Sequence, residues 1–319
     1  MKVKEIFDLA LKMGLKSDPR GVNAIKKYLQ NIQKDYENLS KNEQKFFDKE
    51  MLTNPYADSR IHNDDGKTEV KRILTGIDIA ESELLLASQL GERNQKIDLV
   101  IAHHPIGKSL ADLHAVMNMQ IDIFEDAGIP VHVAEKIMEE RISEVSRSVH
   151  PSNHYKIIDM AKLLKVNLLN IHTITDNLVH EYLQKYFTKM KPETLGEMVD
   201  LLLEIPEYAE AKKRGAGPYI FAGNKRNKVG KWIMEMTGGT NPADSLYKEL
   251  SNYGVSTVVG MHMRDGARKV ANEYYMNVLI AGHMASDSLG MNLFLDELEK
   301  KGIEILPVGG LIRHSRNKK

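Results

Sequence analysis

Asp98-Leu99-Val100-Ile101-Ala102-His103-His104-Pro105 is the stretch on which the reading of this chain turns. An apolar run of strand length delivers two adjacent histidines, and the proline stops the strand there. In α/β proteins ligands bind beyond the carboxyl ends of strands, so paired histidines at that point mark a candidate site. Neighbouring side chains on an extended backbone point to opposite sides. One ion would serve both rings poorly, whereas two ions side by side take one each.

The arrangement recurs twice. Asn167-Leu168-Leu169-Asn170-Ile171 leads into His172, with Asp176 four residues later, and Asn277-Val278-Leu279-Ile280-Ala281-Gly282 leads into His283, with Asp287 four residues later. A helix starting at either histidine places the carboxylate on the same face, one turn on. A lone histidine at a strand end is ordinarily a hydrogen-bonded neutral imidazole. Three strand ends of one kind point instead to a site.

His103, His104, His172, Asp176, His283 and Asp287 together offer more nitrogen and oxygen donors than one catalytic zinc takes. They suit two divalent ions about 3.5–4 Å apart, bridged by carboxylate and water. Imidazole plus carboxylate favours Zn, Fe, Mn or Co over Mg or Ca. Asp176 and Asp287 are the natural bridging groups. A water shared by two such ions becomes a nucleophile near neutral pH, so the chemistry expected is hydrolysis, with no side-chain nucleophile assigned.

Composition narrows the alternatives. The chain has 319 residues, enough for a large core, as two domains or one domain with additions. Lys and Arg number 44 and balance 44 Asp and Glu, so no overall field draws it to nucleic acid or an anionic membrane. Cysteine is absent, which removes disulfides, thiolate ligands and a cysteine nucleophile. One tryptophan and 6% aromatic residues argue against a single-strand stacking platform. No signal-peptide core or transmembrane run is visible, and a cytoplasmic location is expected.

In chain order, residues 1–55 read as a helical extension, with Ile6, Leu9, Ala10 and Met13 at helical spacing. Residues 56–190 read as a first α/β half with an insertion: strands at 73–77, 98–102, 130–133 and 167–171 alternate with helices at 84–91, 113–127, 134–148 and 152–165, and a further helix begins near Leu178. Residues 191–217 read as a connection. Residues 218–319 read as a second, similar half, with strands at 218–221, 255–259, 277–281 and 303–306 and a helix over 288–301. Asp78 with Glu81 fits a capping box, which leaves Asp78 a weak cleft candidate. His262, just past a strand, is another. His132 on its short strand is expected to be structural, and His114 and His180 to lie on the surface. The glycine-rich segments 237–240 and 307–310 match no dinucleotide or P-loop fingerprint and read as turns. Lys108, Arg264 and Arg268 are the side chains available for phosphate groups, and the basic tail 313–319 reads as solvated.

At these residues the sequence resembles the NIF-three-like proteins, many of which are regarded as GTP cyclohydrolase I type 2 homologues. The strand-His-His-Pro at 98–105, the His-Thr-x-x-Asp at 172–176 and the Ala-Gly-His-x-x-x-acid at 281–287 carry the resemblance, which covers roughly residues 70–310. It implies an α/β fold of two similar halves around a central metal-binding cleft. It also implies a homo-oligomer, often a hexameric ring, and metal ligands at His103, His104, Asp176, His283 and Asp287, with His172 adjacent or also coordinating. The last acid departs from the pattern: the family usually has glutamate where Asp287 stands. GTP ring opening is the activity that the resemblance carries. The residues themselves point to a dinuclear metal-dependent hydrolase; a nucleotide-like or heterocyclic small molecule as its substrate is what the resemblance implies. An Asp-His-His phosphoesterase is a weaker reading, because Ala102 precedes His103. The different-class alternative is a metal-binding or partner-binding protein without turnover.

Overall fold

Leu99, Val100, Ile101 and Ala102 are fully buried, the pattern of a parallel strand covered on both faces. The computed structural model of the chain describes residues 1–317; Lys318 and Lys319, the end of the basic tail, lie outside the described residues.

The chain opens with helices α1 (Val3–Lys16) and α2 (Val22–Asn38). Val3, Ile6, Phe7 and Ala10 on one face of α1 enter the first core, so the extension is packed onto the fold. Burying each large side chain of this kind contributes about 1.5–3 kcal/mol. The first half then runs β1 (Arg60–Asn63), β2 (Arg72–Gly76), α3 (Glu81–Glu92), β3 (Leu99–Ala102), α4 (Gly107–Ala111), α5 (Leu113–Val116), α6 (Met119–Asp126), α7 (Val131–Val149), α8 (Lys156–Leu164), β4 (Leu168–Asn170) and α9 (Thr173–Met190). Helices α10 (Leu195–Leu203) and α11 (Pro206–Lys213) follow, contributing Leu195, Met198, Leu202 and Tyr208 to a second core. The remainder is β5 (Tyr219–Ala222), β6 (Trp232–Glu235), α12 (Leu246–Asn252), β7 (Thr257–Gly260), α13 (Asp265–Glu273), β8 (Asn277–Ile280), α14 (His283–Glu299) and β9 (Glu304–Val308).

Two sheets result, ordered β1-β4-β3-β2-β9 and β5-β8-β7-β6. Pairing is parallel except at the edge strands β1 and β5, which run antiparallel to β4 and β8. The halves are alike in the part that matters here. In each, the strand beside the antiparallel edge ends at a histidine and passes straight into a long helix, β4 into α9 and β8 into α14. Those two helices pack on each other between the sheets. The α/β architecture is the one the strand-helix alternation implied, and its two similar halves are those expected from the repeated strand-histidine-acid unit and the resemblance. The last strand, β9, lies in the first sheet beside β2, although it follows α14 in sequence.

Several local expectations are corrected. Residues 130–133 form no strand: Pro130 caps α7, which buries Ala134, Met138, Arg141 and Val145 at helical intervals and leaves His132 exposed. The helix read over 113–127 is broken into α5 and α6. The helices read from Leu178 and Ser288 begin at Thr173 and His283, and β1 and β6 went unread. The capping acid of α3 is Glu83, whose carboxylate accepts from Ala80 N–H at 2.8 Å, so Asp78 is not tied up as a cap. The tail is anchored as far as residue 317, with Arg313 on Asp296 at 2.7 Å and Arg316 on the buried Glu207 at 2.8 Å, because those carboxylates need counter-charges. Among the described residues, no helix is long and apolar enough to cross a membrane.

Candidate metal centre

The carboxyl ends of both sheets face one cleft. Strand β3 delivers His103 and His104, β4 delivers His172, and β8 delivers His283 through Gly282, whose φ of +120° suits only glycine. A Cβ there would lie 2.6 Å from the Ala216 carbonyl oxygen. Because α9 and α14 start at their histidines, Asp176 and Asp287 follow one turn later on the same faces, both buried. Gly290 sets how near these helices come, since its Cβ would meet the Thr175 carbonyl oxygen at 2.3 Å.

The six residues named from sequence converge. His103 Nε2 lies 3.5 Å from Asp176 Oδ1 and 3.5 Å from Asp287 Oδ1. The other Asp287 oxygen is 3.4 Å from both His104 Nε2 and His283 Nε2. His172 Nε2 is 3.8 Å from Asp176 Oδ2. Donor atoms about 2.1 Å from one tetrahedral ion sit roughly 3.4 Å apart, so these separations suit shared ions. Three such groups satisfy a common reach: His103 with His104 and His172, His104 with His283 and Asp287, and His103 with Asp176 and Asp287.

The rings are held from behind. His104 Nδ1 meets Asp78 Oδ1 at 2.7 Å, His172 Nδ1 meets Asp58 Oδ2 at 2.8 Å, and His103 Nδ1 lies 3.2 Å from the Ile171 carbonyl and 3.0 Å from Thr175 Oγ1. Carboxylate and carbonyl oxygens only accept, so Nδ1 carries the proton and each Nε2 lone pair faces the cluster, the arrangement found behind metal-bound histidines. His103 Nε2, Asp176 Oδ1 and both Asp287 oxygens are buried with no hydrogen-bond partner. Leaving such atoms bare is costly, and divalent cations would satisfy them. The donor set therefore fits metal ions.

Electrostatics separate the two acids. Burial raises the Asp176 carboxyl well above its usual range, with Asp287 and Asp58 adding to it. Burial also acts on Asp287, but His103 and His104 overcome it and hold that carboxylate ionised. Burial lowers His103 and His283. It pushes His104 down as well, yet Asp287 and Asp78 outweigh it and lift that ring to about 8.

Of the weak candidates, Asp78 stands behind His104. His262 lies in the cleft with its ring 4.6 Å from that of His283. Asn241 Nδ2 donates to the His262 carbonyl, so Asn241 Oδ1, 2.7 Å from His262 Nδ1, accepts from that ring. Burial lowers His262 to about 4, leaving it neutral with Nε2 as an acceptor. His180, expected at the surface, is buried, because α9 is covered on that face too. Asp58, Thr175 and Asn241 were not found from sequence: Asp58 and Asn241 lie in irregular segments without a periodic signal, and Thr175 is an unspecified position within the 172–176 motif. A cavity of about 200 Å³ opens beside His104, His172, Asp176, His262 and His283. The 237–240 segment, expected to be a plain turn, helps to wall it. Lys108, Arg264 and Arg268 are engaged by Asp112, Asp244 and Asp265 and do not line it.

No family model and no curated protein matches the chain. Solved structures do. A NIF3 superfamily protein from Sphaerobacter thermophilus aligns with a TM-score of 0.76 over 98% of this chain and 99% of that one, at 24% identity. Reduced HcgD from Methanocaldococcus jannaschii aligns with a TM-score of 0.53 over 85% of this chain and 96% of that one, at 14% identity. Likeness at such identities is a likeness of fold. The chain has the fold of the NIF3 superfamily, the resemblance that its three strand-histidine motifs carried.

Proposed function

We propose that this protein is a metal-dependent hydrolase that holds two divalent ions between the carboxyl ends of its sheets and acts on a small molecule in the adjoining cavity. The observation that carries the reading is the set of four buried, unpartnered donor atoms on His103, Asp176 and Asp287. Asp287 supports a pair of ions rather than one, since its two oxygens face different histidines, His103 on one side and His104 with His283 on the other.

When bound, ions such as Zn²⁺, Fe²⁺, Mn²⁺ or Co²⁺ would polarise a substrate and make water acidic enough to attack it near neutral pH. The chain's own residues do the rest. Asp58, Asp78 and the Ile171 carbonyl keep three rings aimed at the cluster, and His262 presents a neutral acceptor at the cavity wall. The apolar side chains of Leu113, Phe124, Met234 and Met261 limit competing water.

Metal content by plasma mass spectrometry tests the reading, with an Asp176→Ala/Asp287→Ala variant alongside. About two transition-metal ions per chain, lost in the variant, are expected. A chain that takes up no metal after incubation with Zn²⁺ and Mn²⁺ would overturn both ligand set and chemistry. Metal without turnover of any nucleotide or heterocycle would favour a carrier.

A further inference from the structure

The cavity beside the histidine cluster has a second polar region that the metal reading leaves unused. Gln120 on α6 is buried, and its amide nitrogen donates to two carbonyls of the 237–240 segment, those of Gly238 and Thr240, each at 2.6 Å. Only the NH₂ group can make both bonds, so the orientation of the amide is fixed and Oε1 is left as an acceptor with no partner. Glu235 stands at the carboxyl end of β6. Its Oε2 accepts from the Tyr247 hydroxyl at 2.7 Å, while Oε1 is buried without a partner. Both residues line the cavity.

Two acceptors with unused capacity have no lysine or arginine to meet them: among the described residues none lines this cavity, whose positive charge belongs to the histidine cluster. A phosphate or carboxylate placed at this end would meet a carboxylate, an amide oxygen and apolar walls, and would lose its hydration without return. A group carrying N–H donors would satisfy either oxygen once its side chain turned that oxygen to the cavity. The cavity is also below the roughly 300–1,000 Å³ that holds drug-sized ligands, which argues for a compact molecule.

We propose that Glu235 and Gln120 are specificity-determining residues that receive the N–H groups of a small nitrogen compound, an amidine or amino-heterocycle without phosphate at that end. This rests on the hydrolase reading of the neighbouring cluster and names the substrate class for the same site. Burial raises the Glu235 carboxyl to about 7 against the Tyr247 hydrogen bond, so a cationic donor would draw out its ionised form.

Ligand-observed NMR on the full-length protein, with benzamidine as the donor probe and benzoate as its anionic counterpart, tests this after removal of metal with a chelator. Benzamidine is expected to bind the wild type and to bind Glu235→Gln at least tenfold more weakly. Tyr247→Phe, which keeps the carboxylate, should stay within about threefold of wild type. Equal binding by wild type and Glu235→Gln, preference for benzoate, or no binding of benzamidine by the wild type would each overturn the assignment. Benzamidine binding in a chain that takes up no metal would instead defeat the hydrolase reading alone.

Discussion

Asp58 Oδ2 lies 2.8 Å from His172 Nδ1, and the same oxygen accepts from Thr173 Oγ1 at 2.7 Å. The carboxylate is wholly buried in the segment just before β1, some 114 residues from the ring it orients. Asp58→Asn should leave the fold intact and weaken zinc affinity 10–100-fold, the usual cost of losing an orienting partner behind a metal-bound histidine. Competition against a chromophoric chelator measures it. Unchanged affinity would reduce Asp58 to a structural role.

Gly290→Ala should be more damaging than its size suggests. The added methyl would lie 2.3 Å from the Thr175 carbonyl oxygen, so α9 and α14 must move apart. A destabilisation of about 1–3 kcal/mol is expected in urea unfolding, as for other overpacked cores. Because Asp176 and Asp287 ride on these helices, metal affinity should fall with it. Full affinity in a destabilised variant would show that the helices part elsewhere.

Acid should destabilise the fold through two histidines outside the centre. Burial lowers both His62 and His180 to about 4. The unfolded chain therefore binds protons near pH 6.5 that the native chain refuses, and stability falls as the pH drops from about 6.5 towards 4. The loss reaches roughly 3 kcal/mol per histidine at pH 4. In His180→Gln the fall between these pH values should be visibly shallower, as read by urea midpoints. A parallel curve would mean that His180 stays neutral in both states.

Glu235 gives the opposite slope. Its carboxyl is raised to about 7 by burial, so ionising it works against the fold: the penalty is absent below about pH 4.5 and complete above pH 7. Glu235→Gln should be close to wild type at pH 4.5 and more stable at pH 8, by at most ~3 kcal/mol. Thermal melts at the two pH values decide it. A variant no more stable at pH 8 would place the ionised carboxylate in a better-solvated setting.

The sequence made the six clustered residues legible because strand, histidine and helical acid repeat as one unit, and a parallel strand buried on both faces is apolar throughout. What lay beyond reach had no such periodicity. Asp58 acts across the fold from an irregular segment. Gln120 is one polar residue on a short helix, and Glu235 ends a strand hidden between lysine- and glycine-rich neighbours. Pro130-Val131-His132-Val133 misled because β-branched residues favour strands, whereas the proline opens a 19-residue helix whose buried face lies further on. Asp78 was obscured by an apparent cap two residues too early.

The pairing of β2 with β9 joins positions such as Arg72 and Glu304, 232 residues apart. While the chain is being synthesised, β2 must wait with one edge bare until almost the whole polypeptide has emerged. Contacts of such long range form slowly, and an unpaired edge of buried-type residues such as Ile73 and Leu74 is a template for aggregation. A nascent chain stopped before residue 303 would have every residue of the candidate centre and still lack the strand that closes the first sheet. The final segment thus governs when the protein becomes safe from self-association, a demand on folding in time that is separate from its chemistry.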